Sequence, residues 1–365
     1  MRSLKRYIII LLPGLLVITF ICCREKSANG AQNNSERQVA QDTIIITAVG
    51  DMMLGSAFPS KAGLPPDDAI NSFEQVQQYL TGDIVFGNLE GVLLNNGTSS
   101  KCKGASVNSC YAFRMPERYG MIFKNAGFNV LSIANNHVGD FDGKGRVRTA
   151  AVLDSLGIAY AGQMNKPYHL FEKNGVKYAF CAFAPNENTV DIRKIEEAKK
   201  LVASLNEQAD VVVVSFHGGG EGAPFEHVTR KTEFYYKEDR GNVYAFAHAV
   251  VDAGADIVLG HGPHVTRAVE VYKGKFIAYS LGNFCTYGMF SLKGANGIAP
   301  LLTVRTDRAG NFIDADVISV KQDKVNRLQV DSLQQAFEKI KTLTETDFPD
   351  HELDFSVPGK IGKKG

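Results

Sequence analysis

Six short polar clusters in this sequence bring together carboxylate, amide and imidazole side chains. They are Gly50-Asp51, Gly87-Asn88-Leu89-Glu90, Asn135-Asn136-His137, Phe216-His217-Gly218-Gly219-Gly220-Glu221, Gly260-His261-Gly262-Pro263-His264 and Gly282-Asn283-Phe284. Oxygen donors mixed with imidazole suit divalent transition metals, and they are the composition of a two-metal hydrolytic centre. Each cluster follows a run of apolar, strand-forming residues. In an α/β sheet the parallel strands deliver their C-terminal ends to one edge, where ligand sites form. Six such ends are therefore expected to converge on one crevice.

The clusters differ in what they offer. Asp51 ends the buried run 44–49, and Glu90 follows the run 83–86 in the same way. Asn135-Asn136-His137 repeats the pattern after 130–133, and an Asn-His pair there can supply one metal ligand and one general acid. His217 follows the strongly strand-forming run 211–216. His261 and His264 flank Gly262-Pro263, a rigid turn that can aim both imidazoles at one point. Taken singly, such an Asp is also a helix cap, and such a His is also a core or loop residue. Their joint placement at strand ends is what favours a site. His169, His227 and His248 lack that setting, and His248 reads as a helix residue.

The elements that must position these clusters follow from the same pattern. Strand-like runs at 44–49, 83–86, 130–133, 177–182, 211–215, 257–259 and 276–280 are interspersed with helical patterns at 70–80, 117–125, 145–156, 193–206 and 242–253. The apolar runs are continuous rather than alternating, as in strands covered on both faces. The alternation of strand and helix predicts βαβ units and an α/β fold. Beyond 276 the pattern predicts an antiparallel pair, 301–306 and 312–321, and a last helix near 333–343. The folded domain is expected over 43–345, with 346–365 as a C-terminal tail that is frayed from 351 onward.

A chain of 365 residues, 44% hydrophobic and 22% charged, can bury a large core. Its net charge of +1 provides no global field to attract nucleic acid. Residues 1–23 read as a signal peptide or membrane anchor. Arg2, Lys5 and Arg6 precede an uncharged run over 7–21 that ends in Cys22-Cys23. The run is shorter than the roughly 20 apolar residues that span a bilayer, and Pro13-Gly14 interrupts it, which favours a secretory signal. The cysteine pair resembles a bacterial lipoprotein processing site, with lipid on Cys22 or Cys23; an uncleaved anchor is the alternative. Residues 24–42 are polar and read as a flexible tether. The bulk of the chain is then expected outside the cytoplasm, membrane-anchored at the bacterial cell envelope. Cys102 and Cys110, close together in a polar loop, are expected to form a disulfide there, with two free thiols as the alternative. Cys181 reads as core.

Several of these runs together resemble one family. The segment Ala48-Val49-Gly50-Asp51-Met52-Met53-Leu54-Gly55, Asn88-Leu89-Glu90, Ala134-Asn135-Asn136-His137, Gly260-His261-Gly262-Pro263-His264-Val265 and Tyr279-Ser280-Leu281-Gly282-Asn283-Phe284 look like the signature set of the CapA family. Its members are poly-γ-glutamate capsule biosynthesis proteins, a branch of the calcineurin-like metallophosphoesterase fold. The resemblance covers residues 43–305 in family order. It implies a four-layer α/β/β/α sandwich of metallophosphoesterase type, with a metal centre at one sheet edge. Two departures stand out. Many members have a His-Trp-Gly-x-Glu arrangement where this chain has His217-Gly218-Gly219-Gly220-Glu221, which leaves the role of Glu221 open. The wider superfamily has Asp-x-His in its first motif and a bridging Asp in its second. Here Asp51 is followed by Met52-Met53, and the second motif offers Asn88 and Glu90.

The resemblance implies a ligand set of Asp51, Glu90, Asn136, His217, His261 and His264 for one or two divalent ions (manganese, zinc, magnesium or iron). With fewer carboxylates and one His missing, one ion is expected to be held firmly and a second weakly. His137 is the expected general acid, while Asn88, Asn135, Glu221 and Asn283 line the site. The expected activity is metal-dependent hydrolysis of a phosphoester or related bond. The alternative is a non-catalytic component of an envelope synthesis or export assembly that binds an anionic polymer at the same crevice. Expected partners are the anionic polymer or phosphoester substrate, envelope biosynthesis proteins, and the membrane through the N-terminus.

Overall fold

The β-branched run that opens the described chain, Thr43–Met53, is a strand buried along most of its length. The structure, a computed structural model, describes residues 43–103, 110–323 and 328–365. The expected signal or anchor, the tether, and Cys22 and Cys23 lie outside the described residues. Among the described residues no helix is long and apolar enough to cross a membrane.

Strand Thr43–Met53 lies inside a 10-stranded sheet. Parallel neighbours Ile84–Leu89, Val130–Ser132 and Ala159–Ala161 follow on one side. On the other side Ile298–Asp307 pairs antiparallel with residues 43–48, and Asn283–Thr286 pairs parallel from Asp51 onward. Phe312–Lys321 and Lys360–Lys363 extend that side antiparallel. A second, six-stranded sheet has the order Val269–Tyr272, Lys275–Ala278, Ile257–His261, Val211–His217, Val176–Phe183, Tyr168–Lys173. Its four middle strands are parallel.

Three apolar clusters define the layers. Ile46, Phe86 and Val130 of the larger sheet share one cluster with Phe180, Val213 and Leu259 of the smaller, so the two sheets pack face to face. The outer face of the larger sheet, through Val49, Val85 and Leu131, packs on Tyr119 and Phe123 of helix Tyr119–Ala126 and on Val152 and Leu153 of helix Asp142–Leu156. The outer face of the smaller sheet, through Val212, Val214 and Val258, packs on helices Ile195–Asn206 and Val243–Asp252. The order of layers is α/β/β/α. Both sheets are covered on both faces, which is why their parallel strands read as continuous apolar runs.

Three expectations are corrected. The pattern over 70–80 is not an α-helix but a succession of turns ending in the short 3-10 helix Gln77–Tyr79. Asp68 and Ala69 enter it with φ of 55° and 62°. The Asp67 carboxylate accepts from both the backbone and the side chain of Asn71, and the following amides bond three residues back. Phe73, Val76 and Leu80 are still buried, so the apolar spacing is served by tighter winding. Residues 351–365 are not frayed. Leu353–Asp354 pairs with Lys360–Lys363, which pairs with Phe312–Lys321, and Leu353, Phe355 and Ile361 are buried between the sheets. Three apolar residues spread over nine positions leave no periodic signal, although an edge strand needs no more. Finally, Gly282-Asn283-Phe284 does not close a strand but opens one, Asn283–Thr286.

Candidate metal centre

Asp51 is aimed by a local irregularity in its strand. Residues 46–48 pair in step with 84–86, but Asp51 then pairs with Asn88, so one extra residue is taken up at Val49-Gly50. Such a bulge bends a strand and redirects the side chain after it. Gly50 makes the bend possible, because a Cβ there would lie 2.0 Å from the Gly282 carbonyl oxygen. The Asp51 N–H donates to that same oxygen at 2.8 Å. On the smaller sheet His217 and His261 are register partners on adjacent parallel strands. Gly262, with φ of 112°, lets the chain turn against the Gly218 backbone. His264 follows with φ of 58°, a conformation rare for a residue with a side chain and typical of functional sites.

These elements bring Asp51, Glu90, His217, His261 and His264 into one crevice. His264 Nδ1 lies 2.8 Å from Asp51 Oδ2 and His261 Nδ1 lies 3.2 Å from Asp51 Oδ1. His217 Nδ1 is 3.7 Å from Glu90 Oε2, and His264 Nε2 is 3.9 Å from Glu90 Oε1. Asn88 sits between the carboxylates. Its amide orientation follows from a chain of bonds in which the His137 N–H donates to Asn135 Oδ1, and Asn135 Nδ2 donates to Leu89 O and Asn88 Oδ1. The Asn88 Nδ2 therefore faces Asp51 and Glu90 and donates to both. Asn88 and Asn135 orient the cluster and offer it no lone pair.

The electrostatics of the crevice are those of buried acids and imidazoles coupled at short range. Burial would raise Asp51, but its bonds to His261 and His264 outweigh that and hold it well below the usual carboxylate range. Burial, joined by the charge on Asp51, pushes Glu90 up to about 8. Burial opposes protonation of His264, yet its bond to Asp51 and the surrounding carboxylates lift it to about 9. Burial and the nearby Arg240 keep His217 well below its ordinary value. Two buried carboxylates this close do not both ionise without a counter-charge.

The donor atoms fit a metal. Oxygen and nitrogen atoms of Asp51, Glu90 and His217 lie within 4.8 Å of one another. Glu90 Oε1, His217 Nδ1, His261 Nε2, Asn136 Oδ1 and Asn283 Oδ1 are buried without a hydrogen-bond partner. An orphaned buried polar atom costs about 1–3 kcal/mol, and a divalent ion satisfies carboxylate oxygen and imidazole nitrogen together. Asn136 is half-buried between Asn135 and His137. The Asn283 side chain donates to Asn296 O, and Asn296 donates to His264 O.

His137 stands beside this cluster with a partner of its own. Its Nδ1 lies 2.7 Å from Asp140 Oδ2, and its ring stacks on Phe113 at a centroid distance of 3.9 Å. Burial lowers the His137 pKa, and Asp140 works against that. Phe290 contacts both Phe113 and His264, at 5.1 and 5.3 Å between ring centroids, and so links the two halves of the crevice. Glu221 is held by Arg240 Nη2 at 3.0 Å, and Arg240 reaches toward His217 Nε2 at 3.5 Å. Sequence reasoning missed Asp140, Lys101 (which bonds Asp140 at 2.7 Å) and Arg240. The spacing His137-Val138-Gly139-Asp140 was the available signal for Asp140. Nothing marked Arg240, which comes from an irregular segment well beyond His217. Cys102 and Cys110 are joined as a disulfide, while Cys181 and Cys285 are buried free thiols.

Comparison with known proteins gives relatives of this chain. A capsule biosynthesis protein CapA from Bacillus anthracis is 29% identical over 308 residues, covering 76% of this chain and 68% of that protein. A PGA biosynthesis protein CapA from Bacillus subtilis (strain 168) is 28% identical over 307 residues, covering 78% of this chain and 73% of that one. A solved structure of a candidate 5′-nucleotidase from Staphylococcus aureus, in complex with alpha-ketoglutarate, aligns with a TM-score of 0.47 at 14% identity. It covers 83% of this chain and 58% of that one. The family model described as bacterial capsule synthesis protein PGA_cap matches residues 45–287, a span that holds every residue of the crevice described above except Phe290 and Asn296, and this chain belongs to that family.

Proposed function

We propose that this chain is an extracytoplasmic capsule or poly-γ-glutamate biosynthesis protein whose crevice is a divalent-metal-dependent hydrolase for a phosphoester or related bond. The observation that carries the reading is the buried group Asp51, Glu90 and His217, whose ligand atoms lie within 4.8 Å of one another and include Glu90 Oε1 and His217 Nδ1, both without a hydrogen-bond partner. The capsule role is supported by the names of the two Bacillus relatives. Asp51, Glu90 and His217 would hold the ion, with His261, His264 and Asn136 next to it. A divalent ion there supplies Lewis-acid charge and activates a water. Asn88 keeps the two carboxylates in place. His137, with Nδ1 engaged by Asp140, would carry a proton at Nε2 for the leaving oxygen. Arg240 holds Glu221 beside His217.

The disulfide Cys102–Cys110 supports an oxidising, extracytoplasmic setting. The membrane link, through lipid on Cys22 or Cys23 or through an uncleaved anchor, belongs to the same proposal, as do envelope biosynthesis partners. Elemental analysis of the purified chain tests the centre, together with a phosphoester and peptide substrate panel in manganese, zinc or magnesium. Bound metal and turnover, both lost in Asp51→Ala, are expected. Poly-γ-glutamate contains no phosphate, which gives the second reading its weight. Polymer binding that survives Asp51→Ala, with no turnover on any substrate, would replace the hydrolase by a polymer-binding component.

A further inference from the structure

The loop that carries the disulfide also carries the groups that hold the partner of His137. Asp140, whose side chain is 1% exposed, accepts from three donors. These are His137 Nδ1 at 2.7 Å, the Phe113 N–H at 2.8 Å and Lys101 Nζ at 2.7 Å. Lys101 directly precedes Cys102, and Phe113 follows shortly after Cys110. The disulfide joins these two arms with their Cα atoms 5.5 Å apart. Phe113 has a second role, since its ring is the surface on which the His137 ring stacks.

The arms carry little regular structure and are held mainly by loop hydrogen bonds. On the Cys110 side the two-residue strand Arg114–Met115 pairs with Val92–Leu93, and Ser56 Oγ donates to the Ala112 carbonyl and accepts from the Arg114 N–H. On the Cys102 side there are turns, tied down by Ser100 Oγ donating to Asp142 Oδ1. Both cysteines pack against the small apolar cluster of Val92, Leu94, Ala112 and Phe141, the last being the neighbour of Asp140. The covalent link thus fixes the spacing of a lysine and a backbone amide that both end on one buried carboxylate. A buried carboxylate that loses a donor seeks another, and the imidazole bonded to it moves with it.

We propose that the Cys102–Cys110 disulfide is a positioning brace for His137, acting through Lys101 and Phe113 on Asp140. Opening it slackens the proton donor and leaves the metal-binding cluster intact. The inference rests on the reading of His137 as proton donor in the hydrolase proposed above. Reduction by a trialkylphosphine is balanced: the phosphine takes the oxygen of one water and becomes the phosphine oxide, and the S–S bond becomes two thiols.

The test uses the full chain, oxidised and reduced, with Lys101→Met, Lys101→Arg and the double variant Cys102→Ser/Cys110→Ser. The first readout needs neither substrate nor metal. Long-range proton–nitrogen correlation spectra of the His137 ring, assigned by their loss in His137→Ala, should show Nδ1 protonated toward Asp140 in the oxidised chain, with both nitrogens protonated in the acid form that donates from Nε2 and a single Nδ1–H tautomer once that proton has left. Reduction, the double variant and Lys101→Met should each give a mixture of tautomers, and Lys101→Arg should restore the single form. The second readout is kcat with manganese on phenyl phosphate, a poor leaving group, and on p-nitrophenyl phosphate, which leaves without help. General-acid catalysis contributes about 10²–10⁴-fold in rate, so a slackened acid should cost about tenfold on the first ester and less than about threefold on the second. KM and metal content should be unchanged. An unchanged ring signal in the reduced chain and in Lys101→Met would overturn the brace, as would equal loss on both esters accompanied by loss of metal. If the ring signal responds and neither ester is hydrolysed, the brace stands and the hydrolase reading falls. Lys101→Met keeps the disulfide, so the test survives a double variant that does not fold.

Discussion

Asn88 and Asp51 face each other as register partners on adjacent parallel strands, and the Asn88 amide donates to the Asp51 carboxylate at 2.8 Å. The same nitrogen donates to Glu90. A neutral donor thus clamps two buried acids. Asn88→Asp removes the clamp and adds a third carboxylate. Without metal the variant should be less stable by about 3–5 kcal/mol, the order for an uncompensated buried charge. Manganese should then raise its melting temperature by more than it raises that of the wild type. Circular dichroism melts with and without chelator check this, and a loss that manganese leaves untouched would count against a metal between Asp51 and Glu90.

A second buried charge pair holds the glycine-rich segment after His217. Arg267 is fully buried, and its Nη1 and Nη2 donate to Glu233 at 3.0 and 2.7 Å. Glu233 also accepts from the Gly220 N–H at 2.8 Å. Glu233→Gln strands the guanidinium charge and should cost about 3–5 kcal/mol, whereas Glu233→Leu combined with Arg267→Met should cost less than half of that. Urea unfolding of the variants separates these outcomes. If the double variant is as unstable as Glu233→Gln, the charge is not what the segment depends on.

What was legible in the sequence follows from how each contact is made. Asp51, Glu90, His217, His261 and His264 each come close behind an apolar run, because a parallel strand covered on both faces needs such a run and presents its next residues at the sheet edge. The structure brings all five together. Asp140, Lys101 and Arg240 reach the crevice from loops, where position is set by tertiary contacts rather than by periodicity. The helix expected over 70–80 had the right apolar spacing, but Asp67, Asp68 and Asn71 impose turn geometry that spacing alone does not reveal. The strands after 351 were hidden for the opposite reason, being too short to show a pattern while still covering core.

Those late strands make a sharp prediction. Leu353, Phe355 and Ile361 are buried against a core that includes Phe312 and Phe337. Each buried side chain of this size contributes about 1.5–3 kcal/mol. A chain ending at Asp350 should lose about 4 kcal/mol or more, seen as a lower denaturation midpoint. A loss under about 1 kcal/mol, smaller than one such side chain, would show that the segment is dispensable after all.

The last prediction concerns the closest approach in the crevice. A Cβ on Gly50 would lie 2.0 Å from Gly282 O and 2.5 Å from Leu281 O, both backbone atoms that no rotamer change can move. Gly50→Ala must therefore part strand Thr43–Met53 from the turn at 282 and break the 2.8 Å bond from Asp51 N to Gly282 O. Asp51 would shift away from His261 and His264. Overpacking of this kind costs about 1–3 kcal/mol or more, and metal affinity should fall with it, by at least about tenfold for each 1.4 kcal/mol transferred to the site. Gly143 is the control. It lies in helix Asp142–Leu156 with nothing within 4 Å of an added Cβ, so Gly143→Ala should stabilise by about 0.4–1 kcal/mol. Calorimetry and metal titration on the two variants read both effects. Equal stability and equal affinity would mean that the strand and the 282 turn are not held as close as Asp51 requires.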